Sequence, residues 1–201
     1  MKKLTLLTLL ALLCGTTVHA GILDIRGGGG ISSANVDDFD EQAKAANGNG
    51  IDANDFQVIN ADIFINLPTL PIGFGIRHEW FNLNEGQGGS DLDLKARNLS
   101  LLVDLRVIDT DNFYLGPIVA IGHPSAKVDF KSGNVSIDDH INGNDVSYAA
   151  ALETGVYLGP LLIGAEAGWQ NVEFESESNG NKASFDATGF YGKGMVGLTF
   201  F

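Results

Sequence analysis

The sequence predicts an all-β fold: an eight-stranded antiparallel up-and-down transmembrane β-barrel with four long outer loops and three short periplasmic turns. Three observations predict it. Between Asp55 and Leu67, one parity is unbroken apolar (Ile59, Ala61, Ile63, Ile65, Leu67), while the other reads Val58, Asn60, Asp62, Phe64 and Asn66. Period two marks a strand, and a polar face of Asn and Asp set among hydrophobes suits a wall greasy outside and polar inside. Long polar stretches alternate strictly with short turns down the chain. An export signal precedes a cysteine-free remainder.

The chain has 201 residues, enough for one domain or one small barrel. Residues 1–20 read as a secretory signal: Lys2 and Lys3, the apolar run Leu4 to Leu13, then Val18-His19-Ala20 before Gly21. That run is too short to span a bilayer. Cys14 falls within it, and Leu13 stands where a lipoprotein signal carries a small residue. Residues 21–201 are then the outer-membrane barrel domain. The formal charge is -13; without Lys2 and Lys3 it becomes -13 - 2 = -15. So acidic a surface argues against nucleic acid as a partner. With 44% hydrophobic residues and 26 Gly against 5 Pro, the composition fits a glycine-rich barrel.

The first strand runs from Gly21 to Ser33, with Leu23, Ile25 and Ile31 on one parity and Asp24 and Arg26 on the other. Gly27 to Gly30 interrupts it, which a strand tolerates where backbones or bulky neighbours come close. A phosphate-cradling loop would need a Lys-Ser/Thr ending and a following helix, and neither is there. Asn35 to Asn54 is the first long loop, with a helical turn expected near Glu41 to Ala46. Strand two is the Asp55–Leu67 stretch, closed by the turn Pro68-Thr69-Leu70-Pro71. Strand three sets Ile72, Phe74, Ile76, His78 and Trp80 against Gly73, Gly75, Arg77 and Glu79. Glu85 to Ser90 is the second loop.

Strand four runs from Leu92 to Val107. Leu99, Leu101, Val103, Leu105 and Val107 face lipid; Asn98, Ser100, Asp104 and Arg106 face inward. Its first half, Asp93 to Arg97, has the opposite parity of charge, so either a bulge lies near Arg97 or that end projects beyond the bilayer. Asp109 to Asn112 is a short turn; it lacks the glycine and closing Glu of a calcium loop. Strand five, Phe113 to His123, is apolar on both parities. Ser125 to Asp145 is the third loop, with a hairpin extension through Val128 and Phe130. Strand six covers Val146 to Leu158, with Glu153 and Tyr157 on one side. After Gly159-Pro160, strand seven sets Leu161, Ile163, Ala165, Ala167 and Trp169 against Gly164, Glu166, Gly168 and Gln170. Glu173 to Lys182 is the fourth loop. Strand eight sets Phe190, Val196, Leu198 and Phe200 against Tyr191, Lys193, Met195 and Thr199.

The topology, the signal and the ending Gly-Leu-Thr-Phe-Phe together resemble the small eight-stranded bacterial outer-membrane barrels of the OmpA/OmpX type, over the whole mature chain. The resemblance implies the bacterial outer membrane, contact with its lipid and lipopolysaccharide, and recognition of the strand ending at Phe201 by the barrel-assembly machinery.

Eight strands enclose a space that side chains just fill. The inward set holds Asp24, Asp62, Glu79, Asp104, Glu153 and Glu166 against Arg26, Arg77, Arg106 and Lys193. Asn60, Asn98, Ser100 and Gln170 join them. Buried charges need partners, so this near balance points to a cross-linked structural network; a narrow channel is the functional alternative. An enzymatic reading rests on His123-Pro124-Ser125 with Asp138, which resembles the arrangement of lipid A 3-O-deacylases. There, a base beside the hydroxyl and an acid behind the base would activate a nucleophile. Passage of small apolar molecules through a lateral opening is a third alternative, and no stretch marks such an opening. His78 beside Trp80 reads as part of an interfacial belt, and no cluster has zinc-ligand spacing. No cofactor is implied. The acidic loops (Asp37, Asp38, Asp40, Glu41, Asp138, Asp139, Glu173, Glu175, Glu177) could bridge Ca²⁺ or Mg²⁺ to lipopolysaccharide phosphates.

Overall fold

The computed structural model describes residues 22–34, 36–37, 40–41, 44, 55–67, 70–87, 90–132, 135–142, 146–178 and 181–200. Residues 1–20 and Phe201 lie outside that set. The strands are β1 (Leu23–Ser33), β2 (Asp55–Asn66), β3 (Ile72–Gln87), β4 (Ser90–Leu105), β5 (Ile108–Asp109), β6 (Phe113–Ser132), β7 (Val135–Asn142), β8 (Ser147–Leu158), β9 (Leu161–Asn171), β10 (Glu173–Ser178), β11 (Asn181–Asp186) and β12 (Gly189–Phe200). They form eight staves, because β5 prolongs β4, β7 leads into β8, β10 prolongs β9 and β11 leads into β12. The ladder runs β1-β2-β3-β4-β6-β8-β9-β12, antiparallel throughout. It closes where β12 returns to β1, with Leu23 opposite Phe200 and Ser32 opposite Tyr191. Closure removes the exposed edges of the eight-stave ring.

The start of β1, the end of β12 and the three short turns share one end of the barrel. Leu67 N–H donates to Ile72 O at 3.1 Å in the first turn, and Thr110 N–H to Phe113 O at 2.8 Å in the second. The third needs the left-handed conformation of Gly159, at φ +65°. At the other end, three of the four long outer connections prove to be ladder. β3 and β4 pair out to Gln87 and Ser90, β6 and β7 to Ser132 and Val135, and β10 and β11 to Ser178 and Asn181. The stretches read as loops at Glu85–Ser90, Ser125–Asp145 and Glu173–Lys182 are therefore largely hairpin arms. Their polar residues hid the strands, because above the membrane an outward face meets water. In the first connection, helical backbone includes Asp37, Asp40, Glu41 and Lys44, with Asp40 N–H bonded to Val36 O at 3.1 Å. The turn thus begins before Glu41.

No bulge lies at Arg97. The register of β4 against both β3 and β6 is unbroken from Ser90 to Asp104, so that end projects. The bulge sits lower down. Asp104 faces Ile118 and Ile108 faces Leu115, leaving three residues on one side against two on the other. Val107 is consequently half-buried rather than lipid-facing, and both Arg106 and Asp109 point inward.

The outward parity carries Ile59, Ile63, Ile76, Leu99, Leu101, Val119, Ile121, Leu152, Ile163 and Val196, all exposed. Leu101 is 63% exposed, a cost no water-soluble wall would repeat around its whole girth. Lipid-facing runs such as Leu161 to Trp169 span nine residues, the length a tilted strand needs to cross hydrocarbon. Trp80, Tyr148, Trp169 and Phe190 rim the band toward the hairpins; Phe74, Phe113 and Phe200 rim it toward the turns. His78 stacks on Trp80 at 4.3 Å, within the outer rim. At the β1–β12 seam the outward positions include Gly27, Gly29, Gly192 and Gly194, with Gly29 opposite Gly194.

Candidate functional site

The inward parity holds the chemistry. Asp24, Arg26, Asp62, Arg77, Glu79, Asp104, Arg106, Glu153, Glu166 and Lys193 all lie buried in the lumen, none more than 4% exposed. Asn60, Asn98, Ser100 and Gln170 are buried with them. Strand alternation puts each one there, and the antiparallel register sets their heights.

Near the turn end, Asp24 is a hub. Its Oδ2 accepts from Arg26 Nη2 (3.0 Å), Asn66 Nδ2 (3.0 Å) and Arg106 Nη2 (2.8 Å), and its Oδ1 from Thr199 Oγ1 (2.7 Å). Arg106 also donates to Asp104 at 3.0 Å and to the Tyr157 hydroxyl at 2.7 Å. One layer up, Arg26 Nη1 reaches Glu153 Oε1 at 2.5 Å, and the Tyr114 hydroxyl donates to the same oxygen at 2.6 Å. The Arg26 guanidinium lies over the Phe64 ring, 4.2 Å from its centroid.

The third layer centres on Arg77. It grips Asp62 with two bonds (2.9 and 2.8 Å) and Glu166 with two more (2.8 and 2.6 Å). Such fork geometry makes the strongest charge-assisted bonds. Arg77 stands on β3 and Glu166 on β9, four staves away in either direction, so this contact spans the full bore. The Tyr191 hydroxyl donates to Glu166 at 2.5 Å, and Lys193 pairs with Glu79 while standing 3.9 Å from Glu166. Glu153 and Glu166 are direct cross-strand neighbours, an unfavourable pairing of like charges that the separate arginines offset. Above them Asn98 bonds Glu79 and Ser147, and Gln170 bonds Ser32. Asp104 Oδ1 and Glu153 Oε2 are buried without a partner among the described residues.

So many long side chains fit one bore because glycines make room. A Cβ on Gly75 would meet the Phe64 ring at 2.8 Å, and one on Gly155 the Tyr114 ring at 2.3 Å. Both rings lie over bare backbone on the neighbouring stave. The space left beside Arg77, Glu79, Ser100, Gln170 and Lys193 is a cavity of about 10 Å³, room for one water.

Over the polar layers sits an apolar cap that alternation alone did not reveal. Phe56, Val58, Phe81, Leu83, Leu94, Ala96, Ala126, Val172, Phe174 and Ala187 form one buried cluster with Val36. Phe56 and Phe81 meet edge to face at 6.1 Å. Three buried tyrosines were also missed as members of the network. Tyr157 and Tyr191 share a parity with Glu153 and Lys193, the one signal available; Tyr114 lies in a strand too uniformly apolar to read.

The proposed nucleophile set is not in the lumen. His123 is exposed and Ser125 half-buried on the outer wall, with Pro124 buried between them. The register sets Asp138 opposite Asp129, four residues beyond Ser125 on β6, and its side chain lies outside the described residues. Among the described residues no three His, Cys, Asp or Glu side chains group as metal ligands.

No family model and no curated protein matches the chain. Solved structures do. Neisserial surface protein A superposes with a TM-score of 0.53 at 10% identity, over 90% of this chain and 99% of that one. Ail of Yersinia pestis gives 0.49 at 17% identity, over 88% and 99%. OprG of Pseudomonas aeruginosa gives 0.47 at 14%, over 91% and 97%. The closed eight-stave wall, its apolar girth and the superposition on the neisserial protein agree: this chain has the fold of the small eight-stranded outer-membrane β-barrels.

Proposed function

We propose that the chain is an integral protein of the bacterial outer membrane with a structural or surface-interaction role, its lumen permanently sealed. Residues 1–20 would direct export and be removed, and Phe201 would present the last strand to the barrel-assembly machinery. The observation that supports the sealed reading is Arg77, which joins opposite walls through Asp62 and Glu166 across the whole bore. Ions would have to break paired charges, and breaking a buried pair is costly. The hairpin arms above the membrane are the parts free to meet other molecules, and divalent cations at their acidic residues would tie them to lipopolysaccharide phosphates.

Planar-bilayer recording of the refolded protein tests this directly. The expected trace is flat; well-resolved unitary steps would replace the sealed reading with a channel. His123 and Ser125 share the outward face at the edge of the apolar band, where lipid A lies. Mass spectrometry of lipid A from cells with and without the protein covers that alternative: an unchanged acylation pattern is expected, and a missing acyl chain would make the protein a deacylase.

A further inference from the structure

The buried charges of the lumen do not balance. Among the described residues, the acids Asp24, Asp62, Glu79, Asp104, Asp109, Glu153 and Glu166 are buried with the bases Arg26, Arg77, Arg106 and Lys193. In the upper layer Arg77 is committed to Asp62 and Glu166, and Lys193 to Glu79. The surplus of acid gathers at the turn end. There Arg26 and Arg106 are shared among Asp24, Asp104 and Glu153, with Asp109 beyond them near Tyr157. Two carboxyl oxygens in this layer, Asp104 Oδ1 and Glu153 Oε2, have no hydrogen-bond partner among the described residues. Both residues are 0% exposed.

These two acids flank β6. Glu153 on β8 is directly opposite Gly116, and Asp104 on β4 is opposite Ile118. Gly116 has no side chain to part them; a Cβ there would meet Leu105 O at 1.8 Å. Asp104 bears electrostatically on Glu153, as does its cross-strand neighbour Glu166. The other charged and titratable groups around the pair are Asp24 and Arg26 on β1, Arg106 and Asp109 past Leu105, Tyr114 on β6 and Tyr157 on β8. Arg26 and Tyr114 both donate to Glu153 Oε1, and Arg106 reaches Asp104 through Oδ2. None of these donors serves the two remaining oxygens. Among the described residues no three His, Cys, Asp or Glu side chains group as a metal ion would need. A single hydrogen suits the place better, because it makes a donor of one oxygen and gives the other a partner. An unpaired buried charge tends to neutralise itself, and neighbouring carboxyl groups that cannot both ionise hold a proton jointly.

We propose that Asp104 and Glu153 hold one proton between them in the folded barrel, which makes the turn end of the lumen a proton-binding site. Infrared spectroscopy tests this. The mature chain is refolded in an ester-free detergent, so that no lipid carbonyl overlaps, and measured at neutral pH in light and heavy water. The wild type should show the C=O stretch of a protonated carboxylic acid, shifted down in heavy water. Asp104→Asn and Glu153→Gln should each lower that band by the same single-carboxyl amount, because the acid that remains ionises once its rival is an amide. Glu79→Gln, which removes a carboxylate paired with Lys193, should leave the band as it is. Glu153→Gln should also keep the wild-type urea midpoint, since the amide reproduces the neutral acid.

A wild-type spectrum without the acid band would overturn the proposal before any variant is made. A band that kept its full strength in both Asp104→Asn and Glu153→Gln would overturn it as well. So would a lower midpoint in Glu153→Gln, which would mean a charged Glu153 paired with Arg26; failure of that variant to regain heat-modifiable mobility is the extreme of the same result.

Discussion

Two zones of one wall obey opposite rules. In the lower zone of β4, Asp104 and Ser100 point in while Leu101 and Leu99 point out; in the upper zone, Leu94 and Ala96 point in while Lys95 and Arg97 point out. The register does not slip between them. Parity belongs to the backbone, and the medium outside decides which chemistry each parity carries. Where lipid surrounds the wall, apolar atoms gain little by turning inward, and the interior is held mainly by paired charges and hydroxyls, with Phe64, Leu102 and Ile118 packed among them. Where water surrounds it, the hydrophobic effect returns and builds an ordinary core.

The largest expected effects are equal in size and differ in reach. Arg77→Ala strips the partner from Asp62 and Glu166, and removing one member of a buried pair costs about 3–5 kcal/mol. Phe81→Ala opens a hole in the cap and should likewise cost about 3–5 kcal/mol. Urea unfolding in vesicles should show the whole barrel melting earlier in the first variant. In the second, proteolysis should enter the hairpin arms while the membrane zone keeps its heat-modifiable mobility. If both variants failed everywhere at once, the two zones would be one cooperative unit.

A pair of substitutions on a single face sharpens the boundary. Leu101→Arg places charge against acyl chains and should cost about 2–4 kcal/mol. Lys95→Leu, three outward positions higher, should stay within about 0.5 kcal/mol, as surface changes do. Comparable losses in the two would move the edge of the membrane. Tyr191→Phe falls between these two: it removes one bond to the Glu166 carboxylate, about 1.5–3 kcal/mol for a bond to a charged group, and refolding midpoints should register it.

The fold was legible because it is written in period two. Ile63 beside Asp62 declares both the strand and its orientation, and the same alternation at β3, β9 and β12 supplies the ring. The cap was not legible, since Leu94 and Ala96 on the inward parity look like broken alternation when the lower rule is assumed throughout. The bulge at Arg106 and Val107 was hidden for a different reason: one added residue changes the register while leaving the local composition unchanged. Which acid meets which base depends on stagger between distant staves. Arg77 and Glu166 are 89 positions apart, and no local pattern ties them.

The seam between the first and last strands has a consequence for how such a ring can be completed. On the lipid side, Gly27 lies opposite Val196, Gly29 opposite Gly194 and Ile31 opposite Gly192, so over these three steps no two side chains have to mesh when the margins approach. Along that stretch the join can be made by main-chain hydrogen bonds alone, like a zip with smooth teeth, while nearer the turn end Leu23 and Ile25 stand opposite Phe200 and Leu198. In its glycine stretch β12 therefore meets no steric obstruction on its outer side when it arrives.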